Sequence, residues 1–557
     1  MLERQRCDES RMPSSVAPSA KFWLDIAAGR VPAYNSPMRA TAFWLSALVA
    51  VLLSESPAAV LAQSGVLRVG VPSIPRELDP ASALEGVVPL IARQVFDTLV
   101  QYGETNSDVE AGLAVQWSVS RDGLVWAFRL RDGVTFHDGT PLSVQIVVES
   151  LQREIFPGQP KAPAGDAVVG RLLRGTPGVI REIRAKDAHT VLIGLSQPYA
   201  PLLTVLAHPA FSIVLGRTSS EGGQTRWLGT GPFAVGELEA DRIVLEARPG
   251  HWGNGPRLSR ITFTEAPDEA RAEAALAAQN LDVIFPAGTP ARMAGAQSVP
   301  GWRIGYLSLQ TEKAPFNRVK ARRAVAVALD PAKIAPALGA AATSLQAFLP
   351  RGVWSRRDAP PLMGGDPQRA RRLLDEAGVA DGTATTLLIA DVGQGIDRVK
   401  LAEAIRAPLS AAGLAVKVQS SSPDAARALA QTGEHQMVLA EARVEAGDPH
   451  FLLYPLSTSE GAVRGGSALN LSFYRNKSLD NLLIRASQLS FRPERDKLYL
   501  RAQALLAEEL PWIPVYVGLK WVVVRPEVRD LRLHASGSPR LDRVWLDAQL
   551  PPPPPRP

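Results

Sequence analysis

Strand-like and helix-like patterns alternate along nearly the whole chain. GVLRVGVPSI (65–74) alternates apolar residues with a period of two, which predicts a strand. ERDKLYLRAQALLAEELP (494–511) repeats its apolar residues at helical spacing and ends at a proline, which predicts a long helix. A hairpin pattern (230–252) and a helix–strand pattern (270–285) lie between them. This mixed order predicts an α/β architecture, and 557 residues are too many for one compact domain.

An apolar segment near the N-terminus has the layout of a secretory signal peptide. Arg39 precedes ATAFWLSALVAVLL (40–53), which is too short for a comfortable membrane span. Val60 and Ala62 stand before the expected cleavage point. We therefore expect residues 38–62 to be a signal peptide cut after Ala62, and residues 1–37 to lie upstream of the true start at Met38. The alternative is an uncleaved N-terminal anchor.

Cysteine usage and charge are consistent with export. The single cysteine, Cys7, lies in the segment that we expect to be absent from the mature protein. The mature chain would then have no thiol for a disulfide, a metal or a nucleophile, and none to carry a lipid. The net charge of +6 arises from Lys and Arg scattered among acids, which is not typical of a nucleic-acid footprint. We expect a non-lipidated protein of a bacterial periplasm without a nucleic-acid partner.

The stretch DGVTFHDGTPLSVQIVVESLQRE (132–154) raises the possibility of chemistry at His137. No second histidine stands three to five residues away, so the stretch does not offer a zinc pair. Gly133 and Gly139 suit a turn, and Pro141 suits the first turn of the helix that follows. We predict a structural turn before a helix. The stretch PLIARQVFDTLVQYG (89–103) predicts another helix, which ends before Gly103.

Two other segments contain residue types that occur at functional sites. GTGPFA (229–234) matches a loose dinucleotide pattern, but it leads into a strand instead of a helix, so we reject it. EARVEAGDPHFLLYP (441–455) runs from a strand into an acidic loop. Asp448 before Pro449 fits a capped turn, whereas Arg443 and Glu445 are less easily explained by packing.

An ordered series of motifs resembles one family, the extracellular solute-binding proteins of family 5, which serve peptide and nickel ABC transporters. The series covers residues 66 to 525 and includes LDPASALEG, FHDGTPLS, GTGPFAV, DPQRARRLLDEAG, GDPHFLLYP and NLSFYRNKSLDNLLIRA. The resemblance implies an α/β, two-lobed periplasmic binding protein of type II (cluster C-like), with an extra small subdomain and a hinge. The implied parts are lobe I (63–93, 226–310 and 521–545), its small subdomain (94–225), lobe II (311–520) and a proline-rich tail (546–557).

The resemblance also implies a ligand site. The strand Glu441-Ala442-Arg443 would pair with the backbone of a bound peptide, and Glu445 would hold its α-ammonium. Glu85 matches an acidic residue on the lobe I side, and Gln310 stands where the family usually has asparagine. Three positions depart from the peptide-binding pattern, because Ala442 replaces a tryptophan, Glu445 an aspartate and Gln310 an asparagine. These departures leave a related zwitterionic solute open beside a peptide.

We therefore expect the periplasmic substrate-binding component of an ABC importer, binding short peptides or a related zwitterionic solute. Its partners would be the solute and the membrane permease, and we expect a monomer that needs no cofactor, no metal and no catalytic group. One alternative is a receptor for a nickel chelate or an opine, motivated by His450. The others are a chaperone-like periplasmic protein and a hydrolase, although no nucleophile–base set is recognisable.

Overall fold

The computed structural model describes residues 65–82, 86–156, 170, 172–173, 178–218, 225–393, 395–465 and 468–547. Four sequence predictions fall outside these residues: the segment 1–37, the signal peptide 38–62, the site residue Glu85 and positions 548–557 of the tail.

Strands and helices alternate as the sequence predicts. The strands are β1 (Val66–Val71), β2 (Val100–Tyr102), β3 (Val109–Ala111), β4 (Ala114–Val119), β5 (Val125–Leu130), β6 (Ile180–Asp187), β7 (Thr190–Leu195), β8 (Leu215–Thr218), β9 (Thr225–Leu228), β10 (Phe233–Leu238), β11 (Arg242–Ala247), β12 (Arg260–Glu265), β13 (Val283–Ile284), β14 (Ala296–Leu309), β15 (Ala342–Ser344), β16 (Thr383–Ala390), β17 (Leu414–Ser421), β18 (Met437–Arg443), β19 (Trp512–Val524), β20 (Val528–Arg529) and β21 (Trp545–Leu546). The helices are α1 (Val87–Val95), α2 (Val144–Ile155), α3 (Leu202–Leu206), α4 (Glu269–Ala277), α5 (Val319–Ala328), α6 (Pro331–Leu338), α7 (Pro367–Glu376), α8 (Arg398–Ala411), α9 (Pro423–Thr432), α10 (His450–Ser457), α11 (Lys477–Gln488) and α12 (Arg492–Glu509).

One large mixed sheet organises the molecule. Its strand order is β10-β11-β12-β1-β13-β19-β14-β18-β16-β17, and β15 pairs with β19. Strands β14 and β19 are the two longest, with 14 and 13 residues, and they pair antiparallel from Ala296↔Val523 to Ser308↔Trp512. At one end β19 joins β13, and at the other β14 joins β18. These two strands therefore carry the chain from one half of the sheet to the other.

The region between β2 and β9 forms a separate layer. Strands β4, β5, β7 and β6 make an antiparallel sheet in that order, and α2 packs against β6. Its buried apolar side chains, including Phe128 and Phe136, belong to one continuous core with Leu439 of β18 and Trp512 of β19. The other half of the large sheet has its own core around Val69. The small layer thus shares a core with the β14–β18–β16 half, while Arg153 of α2 pairs with Asp79 and His137 contacts Gly231 in the other half.

The turn at His137 is structural, as predicted, but its helix begins later than expected. Pro141 forms a bridge with Thr135, and α2 begins at Val144 after Ser143, whose Oγ accepts the N–H of Ile146 at 3.3 Å. The expectation that Pro141 occupies the first helical turn is therefore wrong. The serine hydroxyl can satisfy an otherwise unpaired amide at the helix start, which a proline ring cannot do.

The helix predicted to end before Gly103 stops earlier, at Val95. The carbonyl of Val95 accepts the N–H of Gly231 at 3.0 Å, and the carboxylate of Asp97 accepts from Thr230 Oγ1 at 2.9 Å and Trp252 Nε1 at 2.8 Å. These partners stand far along the chain, so local spacing could not reveal them. A Cβ on Gly229 would lie 2.0 Å from the Val95 carbonyl oxygen, which explains why GTGPFA needs glycine there.

Candidate functional site

Strand β18 of the large sheet lies at the centre of the candidate site. It pairs with β14 along its whole length, with Arg443 opposite Arg303 and Glu441 opposite Gly305. On its other edge, β16 pairs only with Met437–Leu439. The last residues of β18, which include Ala442, therefore extend beyond β16. An extended segment can add to a strand edge of this kind through main-chain hydrogen bonds.

The loop after β18 is held in an unusual backbone conformation. Ala446 and Gly447 have φ angles of 49° and 65°, both in the left-handed region. A Cβ on Gly447 would lie 2.4 Å from Ser107 Cβ and 2.7 Å from Trp302 Cζ2, so only glycine fits. The turn packs closely against Trp302 at Gly447, and Glu445 is its first residue.

A buried ion pair anchors this loop. Arg495 Nη2 donates to both carboxylate oxygens of Asp448, at 2.9 and 3.0 Å, and the side chains are 6% and 0% exposed. Arg495 Nε donates to the carbonyl of Ala486 at 2.8 Å, and Asp448 Oδ1 accepts the N–H of His450 at 3.0 Å. Burial works against the charge on Arg495, but Asp448 together with Tyr499 outweighs it, so the pKa of Arg495 is raised. The sequence interpretation of Asp448 as structural is consistent with this geometry.

The carboxylate of Glu441 is held by neighbouring side chains. Its Oε1 accepts from Arg398 Nη2 at 2.5 Å and from Tyr516 Oη at 2.5 Å, and its Oε2 lies 3.5 Å from Arg303 Nη1. Tyr516 can reach Glu441 because a Cβ on Gly305 would lie 2.0 Å from the tyrosine ring. Burial raises the pKa of Tyr516, and the charge of Glu441 adds to the shift. The Glu441 side chain therefore holds Arg398, Tyr516 and Arg303 together beside β18.

Trp302 forms the wall facing the loop. Its ring meets Tyr102 and His534 edge-on, at centroid distances of 5.6 and 5.5 Å. Burial lowers the pKa of His534 to about 3, so its ring is neutral at physiological pH. Its Nδ1 accepts the N–H of Ser536 at 3.1 Å, so its Nε2 donates to the carbonyl of Asn106 at 2.9 Å. The wall therefore consists of the packed rings of Trp302, Tyr102 and His534.

A cleft that opens to solvent lies between this wall, the loop and β19. It is lined by His208, Trp302, Arg443, Glu445, Ala446, Lys520, Ala535 and Ser536. The structure thus brings Arg443, the last residue of β18, together with Glu445. Glu441 and Ala442 precede Arg443 on the same strand.

Gln310 lies elsewhere. It is fully buried, one residue beyond the end of β14, and its Oε1 accepts the N–H of Glu312 at 3.0 Å. Since Arg303 lies seven residues back along this strand, roughly 20 Å separate the two positions. The structure does not bring Gln310 together with the cleft residues, and Glu85 is outside the described residues.

Sequence reasoning missed six of the residues that line the cleft: His208, Trp302, Ala446, Lys520, Ala535 and Ser536. Lys520 offered a signal, because it interrupts the apolar run WIPVYVGLKWVVV of β19. Trp302 and His208 gave no local signal, since their places depend on the packing of distant segments.

His450, which motivated the metal alternative, lies away from solvent. It is 4% exposed and its ring contacts Tyr199 and Tyr454, at centroid distances of 5.6 and 4.8 Å. Within the described ranges, no group of three or more His, Cys, Asp or Glu side chains could hold a metal ion.

Comparison with known families decides the class of protein. The model of the bacterial extracellular solute-binding proteins, family 5, matches residues 108–463. The chain belongs to this family. It is therefore a solute-binding protein, as the motif series predicts.

Relatives of family 5 match most of the chain. Heme-binding protein A of Haemophilus influenzae is 30% identical over 485 residues, which cover 82% of this chain and 87% of that protein. The dipeptide-binding protein of Escherichia coli is 27% identical over 481 residues, which cover 81% and 89%.

Solved structures of the family share the fold. HbpA2 from Haemophilus parasuis has a TM-score of 0.77 at 26% identity, covering 86% of this chain and 100% of that chain. DppA from Helicobacter pylori, in complex with the peptide STSA, has a TM-score of 0.63 at 26% identity and covers 87% and 98%. The predicted fold class, a two-lobed periplasmic binding protein, is confirmed. In the described part of the chain, no helix is long and apolar enough to cross a membrane.

Proposed function

We propose that this protein is a periplasmic receptor of an ABC importer. It binds short peptides, or a related zwitterionic solute, in the cleft beside β18 and passes them unchanged to the membrane permease. The observation that carries the proposal is the placement of Glu445 and Arg443 in one cleft, next to a strand edge that β16 leaves open. A carboxylate and a guanidinium match the two termini of a peptide, and the strand edge matches its backbone.

We also propose the predicted division of the chain. Lobe I would comprise 63–93, 226–310 and 521–545, with the subdomain 94–225, and lobe II would be 311–520. Support comes from the long strands β14 and β19, which join the two halves of the sheet, with an irregular register between Pro300 and Ile304. A pair of strands that crosses between two bodies is a suitable hinge for closure around a solute.

Several relatives support a peptide-like solute. The Escherichia coli relative is named as dipeptide-binding, one from Pseudomonas aeruginosa as di/tripeptide-binding, and the Helicobacter pylori structure holds a peptide. For this chain, Glu445, Arg443 and the backbone of Glu441-Ala442 are the proposed contacts. Glu85 and Gln310 stay predictions that the arrangement of the cleft does not support directly.

Calorimetry on the full-length protein tests this function. After retained solute is removed by partial unfolding and refolding, trialanine is titrated beside its N-acetylated form. We expect saturable binding of free trialanine, a large loss on acetylation because Glu445 loses its ammonium partner, and recovery of intact peptide by chromatography. Binding of neither form, or recovery of cleaved peptide, overturns the proposal. A parallel titration with Ni²⁺ tests the nickel alternative, which binding of metal in place of peptide would support.

A further inference from the structure

A second cavity, separate from the cleft, holds two arginines. It is lined by Arg93 of α1 and by Arg540, which follows β20 in the chain. Ala207 and Pro209 line this cavity as well, whereas His208, the residue between them, lines the cleft. The two cavities therefore meet the same stretch of chain, and the arginine cavity has no place in the peptide-binding function proposed above.

The guanidinium of Arg93 has no carboxylate partner among the described residues. Its Nη1 donates to the carbonyl of Ser538 at 2.7 Å, which is its one side-chain hydrogen bond within that part of the chain. The neighbouring Gln94 holds the same segment, because its Nε2 donates to the carbonyl of Pro539 at 2.9 Å and its Oε1 accepts the N–H of Leu541 at 2.8 Å. A guanidinium has five N–H donors, so most of those on Arg93 are left for a further acceptor in the cavity.

The second arginine adds a like charge. Burial, followed by the charge of Arg540, lowers the pKa of Arg93 to about 10, and the opposing attraction of Asp542 is the smaller effect. Arg540 is itself paired, since its Nη2 donates to Asp542 Oδ2 at 3.1 Å and its Nη1 donates to Gln101 Oε1. Arg93 is thus a partly buried cation beside another cation. Such an arrangement is costly, and an anion bound between the two would remove the cost.

The carboxylate that lines the cavity is bound to other partners. Asp97 Oδ2 accepts from Thr230 Oγ1 at 2.9 Å and from Trp252 Nε1 at 2.8 Å. Burial lowers the pKa of Arg540 and nearby carboxylates, Asp97 among them, raise it, whereas Asp97 is not among the groups that shift the pKa of Arg93. An anion therefore meets the least repulsion at the part of the cavity beside Arg93.

We propose that this cavity binds a small free oxyanion, of the phosphate or sulfate class, between Arg93 and Arg540. A tetrahedral oxyanion offers several acceptors, and a guanidinium binds such acceptors through paired N–H groups. The ion joins α1 and Arg540 to Pro209 and Ser212, which lie after β7 in the chain. It therefore stabilises the folded protein, increasingly as its concentration rises.

Calorimetry on the full-length protein, freed of retained solute, tests this site with sodium phosphate and sodium sulfate in the absence of peptide. We expect one saturable site and a thermal unfolding temperature that rises with the concentration of the ion, whereas sodium chloride at equal ionic strength gives neither. In Arg93→Gln the affinity for phosphate falls at least about tenfold. Arg93→Lys, which keeps the charge but not the paired N–H groups, retains part of the affinity.

A matched control is Arg129→Gln, because Arg129 is an exposed arginine on β5. It leaves the affinity for phosphate unchanged, and circular dichroism checks that each variant is folded. Binding of neither ion by the unmodified protein overturns the inference, while the peptide function stands. An affinity for phosphate that folded Arg93→Gln keeps in full overturns the role of Arg93.

A crystal of the unmodified protein soaked in sodium selenate gives a second test, which needs no substitution. Selenate has the shape and charge of sulfate, and its selenium is located by anomalous scattering. We expect an anomalous peak in the cavity, with selenate oxygens about 3 Å from the guanidinium nitrogens of Arg93. Peaks at other places only, or none, would overturn the proposed site.

Discussion

Two loops of this protein combine the same residue types, and the structure uses them differently. The turn at His137–Gly139 and the loop at Glu445–His450 each join an acid, a glycine and a histidine. In the first, His137 Nε2 lies 3.2 Å from the Gly231 carbonyl oxygen, and Asp138 accepts from Arg217 at 2.8 Å. These contacts hold the turn against Gly231 of GTGPFA and against Arg217.

The second loop divides the roles between its residues. Asp448 and His450 point into the protein, where one pairs with Arg495 and the other contacts Tyr454. Glu445 lines the cleft. The comparison shows that the partners a residue meets in the fold decide its role, since both loops would suit a functional site by composition alone.

The largest expected effect comes from the anchor of the second loop. Arg495→Met leaves Asp448 as a buried carboxylate without its cation, which lowers the free energy of unfolding by about 3–5 kcal/mol. Chemical denaturation monitored by circular dichroism measures this change. The control is Arg492→Met on the same helix, whose pair with Asp108 is about half exposed and contributes at most about 1 kcal/mol. Equal effects of the two substitutions would contradict the anchoring role.

The second-largest effect is expected on peptide affinity when Glu445 loses its charge. Glu445→Gln keeps the size of the side chain but removes its charge, and we expect the affinity for trialanine to fall about 30-fold, or roughly 2 kcal/mol. The matched control is Glu434→Gln, since Glu434 is 70% exposed in its weak pair with Lys313. An affinity for trialanine that stays the same in Glu445→Gln would show that the loop does not hold the ammonium.

The smallest effect belongs to the first loop and depends on pH. Burial lowers the pKa of His137 to about 4, below its ordinary value of 6.5. Between these values the unfolded chain takes up a proton that the folded protein does not, so the free energy of unfolding falls as the pH falls from about 6.5 to 4. His137→Gln removes this contribution, which is at most about 2 kcal/mol at pH 5 and vanishes at pH 8.

Denaturation of both proteins at pH 5 and pH 8 measures the difference. We expect His137→Gln to unfold with a smaller dependence on pH than the unmodified protein and to bind trialanine normally. A loss of peptide affinity in His137→Gln would show that this turn also takes part in binding, and the two loops would then not differ in role.

The sequence predicts what depends on local spacing. The strand pattern of β1 and the helical pattern of α12, which ends at Glu509 before Pro511, both appear as expected. Asp366 caps α7 by accepting the N–H of Arg369 at 2.8 Å, and Pro367 follows it as the first residue of the helix. Such features depend on residues only a few positions apart.

What the sequence could not predict depends on distant partners. The carbonyl of Val95, at the end of α1, accepts from the N–H of Gly231, and the aliphatic part of Lys520 lies beside Gly301 and Gly537, which leave space for it. The family resemblance supplied Arg443 and Glu445 as one site, but it could not supply Trp302 and Lys520, which line the same cleft. Their places follow from the packing of β14, β18 and β19 side by side.

A crystal structure of the full-length protein with trialanine tests the central claim most directly. The account predicts a peptide in the cleft at Trp302, with its ammonium about 3 Å from the carboxylate of Glu445. Its backbone would lie along Glu441–Arg443 as an added strand. Density for the peptide at another place, or an empty cleft at saturating peptide, would contradict the account.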